Sequence, residues 1–154
     1  EIEQGEMEIS NIGPVEPDVA QYTTLLLKTI TNSSYYIPRE LYDASIIQLD
    51  YALFFLPRNE FIFRASGVVF EIVEFEKPIV ALTHPIFEQI FEEVGAIGYL
   101  CNTVEEMAAI LRNLSQQPSE QHDEFIQNLK RYKERISTAA VALDLQEQMK
   151  KYLL

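Results

Sequence analysis

Along this chain, unbroken apolar runs alternate with stretches whose apolar positions recur every three or four residues. Tyr51-Ala-Leu-Phe-Phe-Leu56 has six apolar residues without polar alternation, the pattern of a strand covered on both faces, and Pro57 stops it. From about Ala65, Val68, Val69, Ile72, Val73 and Phe75 give a helix a broad apolar face. Pro78 ends that helix and opens a second buried strand, Ile79-Val-Ala-Leu82. Pro85 to Val94 predicts a short helix stopped at Gly95, and Ile97 to Cys101 another strand. Thr103-Val-Glu-Glu106 resembles a capping box opening an amphipathic helix from Val104 to Leu114.

Upstream, Met7 to Ile12 reads as a first strand closed by Gly13-Pro14. Asp18 is placed to cap a helix carrying Val19, Tyr22, Leu25, Leu26 and Ile30, and Ser34 to Ile37 predicts a short strand. Pro38-Arg39-Glu40 fits the first turn of a helix through about Leu49, with Asp50 leading into the Tyr51 strand. The alternation predicts an α/β fold with a parallel sheet and helices on both faces. Residues 119–154 break the pattern. Ser119 to Arg135 and Thr138 to Leu154 read as consecutive helices, with Phe125, Leu129, Tyr132 and Ile136 along one face and Val141, Leu145, Met149 and Tyr152 along the next. The repeat covers too few heptads for a long coiled coil. The expected division is a sheet domain over residues 1–118 and a helical tail over 119–154, lying across that domain or toward a missing one.

A chain of 154 residues with 47% hydrophobic residues, nine Phe and eight Tyr has enough apolar surface for one core without disulfides or metal. Cys101, the single cysteine, sits in an apolar run and is expected to be a buried structural thiol, compatible with a cytoplasmic setting. A net charge of −12 argues against nucleic-acid binding, because phosphate backbones are met by clustered Lys and Arg. No apolar run approaches the roughly 20 residues that span a bilayer. The opening Glu1-Ile-Glu-Gln-Gly-Glu6 carries no initiator Met and reads as the interior of a longer protein.

The chemistry is concentrated after Leu56. A helix starting at a strand's carboxyl end turns free N–H groups and its positive dipole end toward the crevice above the sheet, where phosphate binds readily. Ser66 can cap that turn and donate its hydroxyl, Gly67 lets an anion approach the backbone, and Arg64 can add a charge-assisted contact. The plainer reading is an ordinary Ser-Gly cap beside a solvated arginine. Glu71, further into the helix, can accept hydrogen bonds from paired sugar hydroxyls or stand as an exposed helix residue. His84, at the end of the Ile79 strand, either points into the same crevice or is a loop histidine tied to a backbone carbonyl. Glu60 faces the crevice or is a solvated loop carboxylate. His122 is expected in solvent, and Glu88, Glu92 and Glu93 on an exposed face. Two distant histidines and one cysteine offer no zinc spacing, and neither a P-loop, a Gly-x-Gly-x-x-Gly turn nor a Gly-x-Ser-x-Gly elbow occurs.

The order Asp50-Tyr-Ala-Leu-Phe-Phe-Leu-Pro57, Arg64-Ala-Ser-Gly-Val-Val-Phe-Glu71, Lys77-Pro-Ile-Val80 and Phe91-Glu-Glu-Val-Gly95 resembles the carboxyl-terminal, donor-binding domain of GT-B glycosyltransferases, especially the group-1 or GT4-like bacterial enzymes. It covers roughly residues 39 to 115. The resemblance implies a Rossmann-like sheet with a helical tail, a nucleotide-diphosphate sugar as donor substrate, no cofactor and no metal. It also implies a partner domain on the amino-terminal side that presents the acceptor, and a role in polysaccharide biosynthesis in the cytoplasm or at the inner face of the membrane. Glu71 matches the glutamate that holds the donor ribose, and Ser66, Gly67 and Val68 match the diphosphate cradle; no catalytic residue follows from it. Three departures stand out: Phe63 occupies the place of the family's other glutamate, leaving Glu60 as a displaced substitute. Ile72-Val-Glu-Phe-Glu76 lacks the usual glycine, and the family's Arg and Lys pair is not evident upstream of residue 39. They keep open a non-catalytic domain of the same fold serving assembly or regulation. A flavodoxin-like signalling domain is more distant, since Asp50 precedes its strand.

Overall fold

A computed structural model of the chain describes residues 7–13, 27–30, 36–56, 58 and 67–153. These form β1 (Ile9–Asn11), β2 (Leu27–Thr29), α1 (Arg39–Ile47), β3 (Ala52–Phe54), α2 (Gly67–Glu74), β4 (Ile79–Leu82), α3 (Pro85–Val94), β5 (Gly98–Cys101), α4 (Val104–Gln116), α5 (His122–Arg135) and α6 (Thr138–Leu153). The fold is α/β and Rossmann-like, with one two-stranded parallel sheet, β1-β2, one three-stranded parallel sheet, β3-β4-β5, and a helical tail.

The side-chain period of two sorts the larger sheet into faces. Ala52, Phe54, Ile79 and Ala81 point into a core closed by Ile46 of α1, Val69, Ile72 and Val73 of α2, and Phe87 and Ile90 of α3. Val80 and Cys101 point the other way, onto Met107 of α4 with Leu53, Leu82 and Leu111 around them. Helices therefore cover both faces, as the unbroken apolar runs require. Burial pushes the Cys101 thiol up, as expected for an inert core cysteine.

Several helix ends match their sequence signals. Gly95 caps α3 at φ 94°, and Thr103 caps α4 by accepting from the Glu106 N–H at 3.2 Å. The Glu106 carboxylate reaches back to the Asn102 N–H at 2.7 Å, one residue before the usual capping-box donor. Pro38 sits at the cap of α1, just ahead of the first helical position expected for it. At the end of α2 a Schellman motif forms, with Lys77 N–H donating to Ile72 O and Glu76 N–H to Val73 O, both at 3.0 Å, and Glu76 left-handed at φ 54°.

Three expectations are corrected. Leu27–Thr29 is a strand paired with β1, so no helix extends to Ile30; β-branched Thr29 is at home in a ladder. Residues 18–26 of that reading lie outside the described residues. Tyr36 and Ile37 belong to no strand and lead directly to Pro38, and the rest of that run also lies outside. Val68 is half exposed instead of joining the buried face of α2.

The tail divides in two. α5 runs under the amino ends of the strands: Phe125 is buried edge-on against Tyr99 on one side, and Leu129 joins the core on the other. Between them the buried Asn128 donates to Ala96 O at 2.7 Å. α6 follows, capped by Ser137, and every residue from Val141 to Tyr152 is exposed.

At the first residue of β5, Gly98 has φ 151°, and a Cβ there would lie 2.0 Å from the Ile79 carbonyl oxygen. Backbone cannot give as a flexible side chain does. Gly98→Ala is expected to lower unfolding free energy by about 3–5 kcal/mol, read from the urea midpoint at unchanged m-value.

Candidate functional site

β3 and β4 deliver the chain to α2 and α3 at the carboxyl edge of the sheet, and α1, also antiparallel to the strands, begins at that edge. Three of the predicted site residues, Glu60, Arg64 and Ser66, lie outside the described residues. Gly67, Val68, Glu71 and His84 are described.

Gly67 opens α2, and among the described residues a Cβ built there would meet nothing within 4 Å. Val68 lines a cleft of about 1220 Å³ between β1-β2 and the free edge of β3, together with Lys28, Tyr42, Leu53 and Phe54. Glu71 and His84 lie outside the described lining of that cleft.

Glu71 is held by α1. Arg39 Nη1 donates to Glu71 Oε1 at 2.6 Å, and the Tyr42 hydroxyl donates to Oε2 at 2.5 Å. Arg39 also places Nε 2.7 Å from Asp43 Oδ1, off the line of a hydrogen bond, and lies over the Tyr42 ring. The guanidinium is stabilised in its charged form by Asp43 first and Glu71 second. Burial, and then the Glu71 carboxylate, push the Tyr42 hydroxyl well above its ordinary value. Two of roughly four acceptor positions on Glu71 are used, and its side chain is 32% exposed, so hydroxyl donors from a ligand can still reach it. The clamp orients the carboxylate without closing it.

His84 is tied to the backbone through an N–H donor, where its second reading named a carbonyl. The residue is 1% exposed and caps α3, its Nδ1 accepting from the Ile86 N–H at 3.3 Å. The ring packs against Phe87, and its Nδ1 serves the helix start. Asn, Asp, Ser and Thr are the usual caps, so a histidine before Pro85 does not announce itself. The His122 side chain is 42% exposed, as expected, and stands edge-on to Tyr51 with ring centroids 6.0 Å apart.

In the sequence, Arg39 and Tyr42 are visible only as residues of a helix start. Their spacing of three puts them on one face of α1, but their partner lies 32 and 29 positions away, a distance that only the fold closes. At the same edge Arg58 pairs with Glu88 at 3.4 Å. Among the described residues no group of His, Cys, Asp and Glu could hold a metal ion. No helix among them is long and apolar enough to cross a membrane. No protein-family model matches the chain, and neither a curated protein nor a solved structure matches it, so the site rests on its geometry alone.

Burial raises the hydroxyls of Tyr42, Tyr51 and Tyr132 above the ordinary value near 10. The unfolded chain then releases protons first as pH rises, so this stabilisation is complete below about pH 10 and falls above it. Urea midpoints measured from pH 8 to about 11 are expected to drop, and Tyr42→Phe to flatten part of that drop. An unchanged slope in Tyr42→Phe removes Tyr42 from the effect.

Proposed function

We propose that the chain is the donor-binding half of a glycosyltransferase, holding a nucleotide-diphosphate sugar at the carboxyl edge of the β3-β4-β5 sheet. The observation that carries this reading is Glu71, a reachable carboxylate fixed by Arg39 and Tyr42 in the helix whose first residue is Gly67. The backbone amides at the start of α2 would meet the diphosphate, aided by the helix dipole and by Ser66 and Arg64 from the preceding turn. Glu71 would accept from the ribose hydroxyls. Glu60 and Val68 would border the donor, while His84 would hold the start of α3 in place. A separate domain would bring the acceptor hydroxyl, and transfer would draw on positioning and on stabilisation of the departing diphosphate. Cytoplasmic polysaccharide synthesis is the setting this chemistry suits.

A second reading, a non-catalytic domain of the same fold, is favoured by one specific observation: both Glu71 oxygens already have partners within the chain. Titration with uridine and guanosine diphosphates, followed by amide NMR, separates the two. Perturbation centred on Gly67 and Glu71 supports donor binding; silence with all common nucleotides supports the second.

In the intact protein, Glu71→Ala is expected to weaken donor binding by about 1.5–3 kcal/mol, measured by calorimetry. Unchanged affinity removes Glu71 from the site. Gly67→Ala separates stability from binding. With no atom of the described residues within 4 Å of the new methyl group, the fold should be unchanged or stabilised by up to about 1 kcal/mol, while anion approach is obstructed and nucleotide affinity falls at least about tenfold. A variant that keeps full affinity argues against a backbone cradle at this turn.

A further inference from the structure

α6 spans 16 residues, and Val141, Leu145, Met149 and Tyr152 are 54%, 59%, 48% and 85% exposed along one stripe. A helix of this length is marginal in water, and most helices in proteins owe their stability to packing of an apolar face. From Val141 onward this one receives almost none. It therefore presents an apolar seam without a cover.

The charges beside the seam say what fits it. Asp144 and Lys151 are seven positions apart, nearly two full turns, and so lie on the same shoulder of the stripe. Both are exposed, and neither makes an ion pair among the described residues. Place a second α6 antiparallel across the seam, with the twofold axis midway between them. Asp144 of each copy then faces Lys151 of the other, and Leu145 packs beside Met149 of the other copy. Such an isologous contact satisfies both charges twice with one geometry. In a parallel pair this flank of each helix would lie across from the opposite flank of the other, leaving Asp144 and Lys151 without each other.

We propose that α6 is a homodimerisation helix, pairing antiparallel with α6 of a second copy through Leu145 and Met149 and registered by Asp144 and Lys151. Lys150 and Lys151 also suit the negative end of the α6 dipole, but that does not account for Asp144. The seam is small beside a standard interface of roughly 800 Å² per partner, so the dimer is weak, with Kd on the order of 10–100 µM. It is independent of what binds at α2.

Sedimentation equilibrium of the whole chain at physiological salt tests the pairing. The mass is expected to rise from monomer to dimer with concentration, accompanied by a gain in helical circular dichroism. D144K and K151D should each weaken association at least about tenfold, and D144K/K151D, which keeps the net charge of −12, should restore it. L145E and M149E should abolish it, with the tyrosine near-ultraviolet signal confirming the fold. A chain still monomeric at about 1 mM overturns the proposal and leaves the seam to another domain. So does a dimer indifferent to L145E and M149E, or a double charge swap no better than either single one.

Discussion

Strand β4 is the constraint on which the rest depends. Ile79, Val80 and Ala81 are at most 1% exposed, with a strand hydrogen-bonded on each edge and a helix layer on each face. Such a strand has no solvated side on which to place a polar residue, so its neighbours must supply apolar cover in two directions. α2 and α3 supply it on one face and α4 on the other. The crossovers that place them there run antiparallel to the strands, and this brings the starts of α1, α2 and α3 to one edge. The candidate site is a consequence of that burial.

The opposite edge is closed by polar contacts at helix ends. Lys77 Nζ donates to Ile47 O at the end of α1 and Lys133 Nζ to Glu74 O at the end of α2, both at 2.8 Å, so each lysine meets carbonyls that helices leave unpaired. Arg135 pairs with Glu93 near the end of α3. Gly95 leaves room for Asn128: a Cβ would stand 2.8 Å from its Nδ2. α5 is thereby part of the body of the sheet domain, though its sequence carries no strand signal.

Where local chemistry decides the structure, the sequence is readable. Pro85, Gly95 and Thr103 mark helix boundaries by missing donors, positive φ and a side-chain cap, and α3 runs from Pro85 to Val94 as those residues predict. Leu27–Thr29 misleads because Leu25, Leu26 and Ile30 also satisfy helical spacing, and only pairing with β1 decides for a strand. At the site, Gly67 and Glu71 are legible from their position in a strand-helix unit. Arg39 and Tyr42 are not, because a contact across 29 or more residues has no local period.

Under the proposed donor-binding reading, the clamp on Glu71 bears on how an acidic chain would hold an acidic ligand. With 24 acids against 12 bases, cations are scarce, and at this edge Arg39 and Arg58 are already paired to carboxylates. An incoming diphosphate would compete with Glu71 for Arg39. If it drew the guanidinium away, Glu71 Oε1 would be released at the moment when ribose hydroxyls arrive to replace that donor, while Tyr42 kept Oε2 in place. One ion pair would then serve the empty site and exchange partners in the filled one. Backbone amides at Gly67 would carry the remaining charge, since they cost no net charge and cannot be neutralised by a neighbouring carboxylate.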